Sequence, residues 1–577
     1  IWASAWSGAC SFVHDRLRQT LLQRLPEEER RSLHLRAALD LEPRSPTPVF
    51  DLAYHYDAAG ETARALPYAL AAAEAARARH SLDIAEQQYR IARRGCSQAD
   101  REARFRVALG LGEVLMLRGR YPEASAELEE ALSLAEGPLS RARIEGKLGE
   151  LAFKQDDLTS ASQRIEKALR LLGRGVPRWG VVFLLLAAWE SFVQMLHSLF
   201  PRWLTGRSSP EGAEADLLAV RLYGQLGHAY WFSRGTIPVL WAHLRGLNLA
   251  ERYQPTRELA QAYSEHAPGM SLLGWFSRGL AYADRSFAIR QSLEDLWGQG
   301  QSLHYKGVVL YACSRYEEAA ACCREAIRLL GRMGDHWEMT IARFQVAASL
   351  YRLGRLPEAM EEAQRIHQSG IDLGDGQASG ISLDIWARAS GGKIPAGILA
   401  AELARPSIDV QRTAQVRLAE AVCLLGQKRP QEAAATLQEA MSLLDRAGVM
   451  NAWVSPVAPW LATALRLQAE SLSGRLPQPR QEVLARAEQA AQAACRLARQ
   501  YPNELPHALR EAGLMAMHQG KPRRARRLLE RSLDAARSQG AAYEAALTTL
   551  ALAELGVDLG EPGSDASLEA ARALVRQ

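Results

Sequence analysis

At 577 residues the chain is too long for one compact core, so it requires several domains or an extended array. Seventy Lys and Arg stand against 65 Asp and Glu, a formal charge of +5, and this near balance excludes a strong electrostatic signature for nucleic acid or an acidic substrate. Seven cysteines, scattered and without a Cys-x-x-Cys pair, argue against a disulfide framework or a zinc site and imply a reducing, cytoplasmic compartment.

From Ile1 onward there is no basic-then-apolar leader, so no signal peptide is expected and the chain reads as a piece of something longer. Residues 12–42 predict two helices parted at Pro26, because Glu27, Glu28 and Glu29 suit the positive end of a helix dipole. Helical repeats are expected over 46–171. Gly112, Leu115, Ala124, Leu128 and Ala131 mark one copy, with an interhelix turn at Gly119–Glu123; Gly149, Ala152, Ala161, Ile165 and Ala168 repeat the spacing 37 residues on. Small residues at the first and third places let two helices approach, and the apolar ones fill the gap between successive hairpins.

Residues 172–212 interrupt the period. Gly180–Phe200 is nearly free of charge and long enough to cross a bilayer. Glu190, Gln194 and His197 in its second half, with Arg174, Arg178, Arg202 and Arg207 on both flanks, argue against spanning. A helix buried against neighbouring repeats, or an amphipathic hairpin beneath them, is expected instead, and membrane contact is not. The loop that follows, Gly206–Gly212, reads as solvated.

The array resumes over 213–405. Trp231–Gly235 (WFSRG) recurs as Trp275–Gly279, 44 residues apart, and Tyr311–Ala319 (YACSRYEEA) is echoed by Tyr351–Ala359 (YRLGRLPEA) at a distance of 40. The small-residue spacing reads Gly307, Leu310, Ala319, Cys323, Ala326 and then Ala347, Leu350, Ala359, Ala363, Ile366. A degenerate copy ending in a Gly-Gly turn fills Ile381–Pro395. Over 406–577 the pattern returns at Ala421, Leu424, Ala433, Leu437, Ala440 and at Gly513, Ala516, Ala525, Leu529, Ser532, before a Gly-rich stretch and a short last helix. No stretch reads as a strand run of any length. A period of this size predicts an all-α, tetratricopeptide-like helical-hairpin solenoid, a right-handed superhelix of roughly a dozen hairpins.

A family resemblance narrows this. Phe12-x-His14-Asp15-Arg16, then Leu25-Pro26-Glu27-Glu28-Glu29-Arg30 and Leu33-His34-x-x-x-Ala38, resemble the segment closing the ATPase module of bacterial signalling ATPases of the STAND class. These include multidomain serine/threonine kinases with an AAA-type ATPase and a tetratricopeptide region, and maltose-activator type regulators. Leu52–Leu66 resembles the first repeat of those proteins, and Tyr263–Gly269 (YSEHAPG) a recurrent segment of the kinase-linked ones. The resemblance implies that residues 1–45 are the helical end of an upstream ATPase or winged-helix module. It also implies that ATP binding lies upstream of Ile1, and that the parent protein carries a serine/threonine kinase, sometimes also a histidine kinase. In the maltose-activator alternative a DNA-binding helix-turn-helix would lie beyond Gln577.

Chemistry is sparse within the chain. The Gly-x-x-x-x-Gly-Lys-Ser/Thr loop that cradles phosphate is missing from the sequence, and no catalytic residue, cofactor or metal is assigned. Glu265 and His266 are an acid/base candidate, but neighbours on a helix diverge and no nucleophile stands at a useful spacing, so a satisfied repeat-junction histidine is the better reading; His14-Asp15 is read the same way. Cys322 and Cys323 read as core. Trp231, Trp275, Trp297 and Trp337 would offer aromatic surface to a peptide or small effector if they line a concave groove; large aromatics at helical spacing are otherwise core. The basic run Lys521–Arg531 reads as a solvated outer face, with no nucleic-acid partner. The expected partners are a protein, peptide or small effector in the groove, together with the ATPase and kinase modules of the same protein.

Overall fold

The computed structural model describes residues 2–3, 10–11, 15–79, 81–407, 409–472 and 477–576. Phe12 and His14 of the N-terminal motif lie outside the described residues. The chain forms two compact units, Ile1–Gly137 and Pro138–Gln577, and the division falls inside the run of N-terminal repeats.

The first unit holds α1 (Asp15–Arg24), α2 (Glu27–Leu41), α3 (Val49–Ala58), α4 (Thr62–Ala78), α5 (Leu82–Gly95), α6 (Arg101–Leu117) and α7 (Tyr121–Leu134), each from α2 onward packed on the next. Two strands of two residues, Trp2–Ala3 and Cys10–Ser11, pair antiparallel; they are too short to leave a periodic signal in sequence. Close approach is set by missing side chains. A Cβ on Gly110 would lie 2.3 Å from the Tyr89 ring, and one on Gly112 would lie 2.9 Å from Leu128 Cγ.

The second unit is a stack of hairpins. It runs α8 (Gly137–Lys154) with α9 (Leu158–Leu171), the interrupting α10 (Gly180–Leu199) and α11 (Pro201–Leu204), then α12 (Glu214–Ser233) with α13 (Thr236–Ala250) and α14 (Arg257–Leu272) with α15 (Phe276–Ser292). There follow α16 (Leu296–Ala312) with α17 (Tyr316–Met333), α18 (His336–Arg352) with α19 (Leu356–Leu373), α20 (Gly376–Ser390) with α21 (Ala396–Ala404), and α22 (Val410–Gly426) with α23 (Pro430–Ala447). Last come α24 (Val457–Ser471) with α25 (Pro477–Leu497), α26 (Leu505–His518) with α27 (Pro522–Ser538), and α28 (Ala542–Asp558) with α29 (Ser564–Arg576).

Within each regular hairpin the spaced small residues meet. Ala319, Ala347, Ala359, Ala421, Ala433 and Ala525 are fully buried, as are Ala124 in the first unit and Ala161 in the second. Added Cβ atoms would meet Ile165 Cγ1 at 2.7 Å from Gly149, Cys323 Sγ at 2.2 Å from Gly307, and Leu529 at 2.8 Å from Gly513. Cys323 is therefore core, facing Gly307, with no exposed surface.

The interhelix turn makes its own demand. The residue five places before the third small residue is left-handed in every regular copy: Gly119 (φ 75°), Asp156 (65°), Ser314 (64°), Gly354 (79°), Lys428 (60°) and Gly520 (66°). Three copies thus place a Cβ-bearing residue where glycine is favoured. The next residue is an arginine in four of them, and it pairs with a glutamate three on, as in Arg355 Nε to Glu358 Oε1 at 2.7 Å and Arg429 Nε to Glu432 Oε1 at 2.6 Å. These exposed pairs fix side-chain geometry more than they stabilise.

Candidate functional site

In the second unit the first helices of successive hairpins carry a line of buried polar groups. Asp295, Asp335, Asp375 and Asp409 cap α16, α18, α20 and α22, each accepting from a backbone N–H through Oδ1 at 3.0 to 3.1 Å. An aspartate here satisfies one of the orphan donors at a helix start. In three of the four the second oxygen accepts from the preceding repeat. Arg290 donates to Asp295 Oδ2 at 2.6 Å, Trp297 Nε1 to Asp335 Oδ2 at 3.0 Å, and Gln377 Nε2 to Asp409 Oδ2 at 3.1 Å.

Two of the four tryptophans are thus structural. Trp297, below an Arg290 guanidinium 5.7 Å from its ring, closes the cap of the next repeat. Trp337, 40 residues on, carries the buried Lys154 ammonium 5.0 Å from its ring and meets Phe153 edge-on at 6.0 Å. Among the described residues, the buried Asp375 Oδ2 has no hydrogen-bond partner. Burial above all, with Asp156 adding to it, pushes the Asp375 carboxyl up to about 6 against the pull of the Ala378 and Gln377 amides and Lys154. Lys154 lies 3.9 Å from Asp335; burial opposes its charge, but Asp335, Glu150, Glu338 and Asp375 hold the amine above its ordinary range.

The other sequence candidates separate. Trp231 is half-buried near the end of α12, and Trp275 is exposed at the start of α15. Glu265 accepts from Gln261 at 2.7 Å and faces Gly224, where a Cβ would stand 2.5 Å from its Oε2. His266 turns away into the core. Its Nδ1 lies 2.8 Å from His243 Nε2 with the rings stacked, and Tyr282 closes on it edge-on at 4.6 Å. Burial drives both histidines down, His243 to about 4, so the pair is neutral and shares one hydrogen bond. Glu265 and His266 do not converge on a common point.

Distant hairpins of this unit touch one another. Asn503 donates to Tyr311 O at 2.7 Å, Gln500 to Leu272 O at 2.9 Å, and Ser407 to Asp156 at 3.2 Å. Arg352 pairs with Glu504 with both side chains almost wholly buried. The C-terminal ends of α8, α14, α16 and α18 are therefore met by later segments of the same chain.

Open space lies farther on, against α24, α26 and α28, as a cavity of about 680 Å³. Its floor is polar and internally satisfied. Arg466 grips Glu511 through two bonds of 2.8 and 3.2 Å and reaches Glu470 at 2.9 Å, while Arg510 pairs with Glu544. His507 lies 2.9 Å from the Thr463 hydroxyl, edge-on to Trp460 at 5.3 Å. Burial, helped by Arg510, lowers His507 to about 4 and keeps it neutral. Although burial works against the Glu544 charge, Arg510, His507 and Arg352 hold that carboxyl at about 2.

One wall of the cavity is apolar, built from Leu514, Met517, Leu547 and Leu550, and Glu554 and Asp558 stand exposed on its lining. Of the five carboxylates that line it, Glu470, Glu511 and Glu544 are held by Arg466 and Arg510, which leaves Glu554 and Asp558 as the acidic groups open to a partner. Such a space suits a short segment with apolar side chains and a cation. Sequence reasoning missed it, because the lining comes from α24, α26 and α28 with Tyr351 of α18, helices of ordinary composition whose convergence no motif marks.

Residues 103–173 match the tetratricopeptide repeat family. No curated protein matches the chain. Among solved structures it is similar to a Rap protein complexed with Competence and Sporulation Factor, at 14% identity over 81% of this chain and 99% of that one, TM-score 0.38. It is also similar to a STAND protein with a tetratricopeptide repeat sensor from Pyrococcus horikoshii, at 12% identity over 74% of this chain, TM-score 0.33; it spans 57% of that chain. The Cut9-Hcn1 hetero-tetramer structure of APC/C gives 13% identity over 97% of this chain and 94% of that chain, TM-score 0.40. Helix order, hairpin packing and the repeat match together define a tetratricopeptide-like helical scaffold.

Proposed function

We propose that this chain is a partner-binding scaffold whose α24–α26–α28 cavity receives a short peptide segment carrying apolar side chains and at least one Lys or Arg. The observation that carries the reading is the cavity's lining: apolar side chains beside two exposed carboxylates, Glu554 and Asp558, left over once Glu470, Glu511 and Glu544 are paired with Arg466 and Arg510. Stacked repeats present extended surfaces that such scaffolds use for binding. No chemical step is assigned to the chain, which acts by binding.

In the finer reading the scaffold is the sensor of a cytoplasmic STAND-type signalling ATPase. A segment seated in the cavity would bias the ATPase between closed and open states and so regulate a linked serine/threonine or histidine kinase. The support is the N-terminal motif ending in α2 and the repeat array behind it; the maltose-activator type regulator is the alternative on the same motif.

The test is fluorescence anisotropy with a labelled peptide alternating leucine and arginine. Saturable binding is expected, weakened about tenfold or more by Leu547→Lys with Leu550→Lys and by added salt. An acidic peptide that binds as well as the basic one would contradict the reading.

A further inference from the structure

The interrupting helix α10 presents its polar and apolar sides in inverted order. Its inner face, toward α13, holds Phe183, Ala187, Glu190 and Gln194, all buried. Phe183 meets Trp241 edge-on at 5.3 Å. Glu190 accepts from Asn248 at 2.8 Å and from Arg245 at 2.9 Å, and His197 lies 2.7 Å from Glu251. The outward face carries Val181, Leu184, Leu185, Trp189, Phe192 and Met195, all exposed. It continues through Leu199 and Phe200 into α11, where Trp203 is 71% exposed. Proteins that stay in water rarely leave so long an apolar stripe uncovered.

The ends of the stripe indicate what covers it. Trp179, 75% exposed, stands at one end and Trp203 at the other, and exposed Arg178, Arg202 and Arg207 flank them. Between 175 and 210 the only acidic residue is Glu190, which is turned inward and paired. Tryptophans at the ends of an apolar stripe and arginines just beyond it match the head-group level of a bilayer. A second copy of the helix would set arginine against arginine in a parallel or antiparallel pair. A spanning arrangement would strip Glu190 and His197 of their partners inside hydrocarbon. The base is held firmly: Gly206 N donates to Glu251 O at 2.8 Å and Ser208 N to Arg252 O at 2.9 Å, pinning the loop after α11 beside α13.

We propose that α10 and α11 dock this chain on an anionic lipid bilayer. The helix lies in the plane of the interface, its outer face is seated among the acyl chains, and Arg178, Arg202 and Arg207 contact lipid phosphates. The proposal is independent of the peptide cavity.

The test is co-sedimentation of the full chain with phosphatidylcholine vesicles containing about 30% phosphatidylglycerol, together with tryptophan quenching by brominated lipid. The wild-type chain is expected to pellet with these vesicles, to show quenching, and to bind pure phosphatidylcholine or high-salt samples several-fold less. Leu185→Glu with Trp189→Glu should lower association about tenfold or more without changing the circular dichroism spectrum. Arg178→Glu with Arg202→Glu should abolish the preference for the anionic lipid. A wild-type chain that stays in the supernatant, or variants that pellet equally well, would overturn the proposal. So would a dimer that the Leu185 and Trp189 substitutions split in the absence of any vesicle binding, or association that survives alkaline carbonate.

Discussion

The indole N–H of Trp297 lies 3.0 Å from Oδ2 of Asp335, the cap of the next repeat, and this bond shows how the hairpins of the second unit are locked in sequence. Asp295, Asp335 and Asp409 each use one oxygen on their own helix and offer the other to the repeat before. At Asp375 the ladder breaks, because Trp337, in the place of Trp297, stacks under Lys154 instead.

Burial gives Asp375 a pH effect, which Asp409 shares although both its oxygens are bonded, since its carboxyl is also raised to about 6. Asp375 has its carboxyl raised from 3.8 to about 6, chiefly by burial, so the folded chain holds this proton more tightly than the unfolded chain. Its stabilising contribution is complete below about pH 4 and is lost as pH rises through about 6. Asp375→Asn keeps the capping oxygen and cannot ionise. The unfolding free energy of the variant relative to wild type should rise by on the order of 2 kcal/mol between about pH 4.5 and 7.5. Denaturant titrations at the two pH values check this; a difference that does not change with pH would contradict it.

Arg352 and Glu504, 152 residues apart, form a buried ion pair, and Arg352 also donates to Asn503 O at 3.1 Å. Arg352→Met strands a buried carboxylate and should destabilise the second unit by about 3–5 kcal/mol. Adding Glu504→Gln removes the stranded charge and should restore part of that loss, which a double-mutant cycle in urea measures.

Lys428 is exposed and left-handed at φ 60°, in the turn position that Gly119, Gly354 and Gly520 fill elsewhere. Lys428→Gly should therefore raise stability by about 0.5–1 kcal/mol. Gly354→Ala should do the reverse, by about 1–2 kcal/mol, since its φ is 79° and an added Cβ would lie 3.3 Å from Tyr543 N. Thermal unfolding of both variants reads the opposite signs.

The hairpin architecture is legible in the sequence because close helix packing needs small side chains at fixed intervals, and Gly307 against Cys323 or Gly513 against Leu529 can be spaced from residue numbers alone. Side-chain direction is not legible in that way. Trp297 and Trp275 look alike in a string of letters, yet one closes a cap and the other stands in solvent. Contacts such as Arg352 with Glu504 depend on the pitch of the stack, which a local period does not specify. The cavity was invisible for the same reason, its walls coming from helices that meet only after the winding is set. Asp156, Ser314 and Lys428 hide a turn that a search for glycine passes over. In α10, which residues of an apolar run face outward was settled by where Glu190 and His197 found partners.

The central claim is that partners are captured at the α24–α26–α28 cavity and not along the first helices of the middle repeats. Hydrogen-exchange mass spectrometry of the chain, with and without the leucine–arginine peptide, tests it most directly. New protection confined to Val457–Ser471, Leu505–His518 and Ala542–Asp558 is the predicted result. Protection centred instead on Arg257–Leu272, Leu296–Ala312 and His336–Arg352, around Trp297 and Trp337, would contradict it.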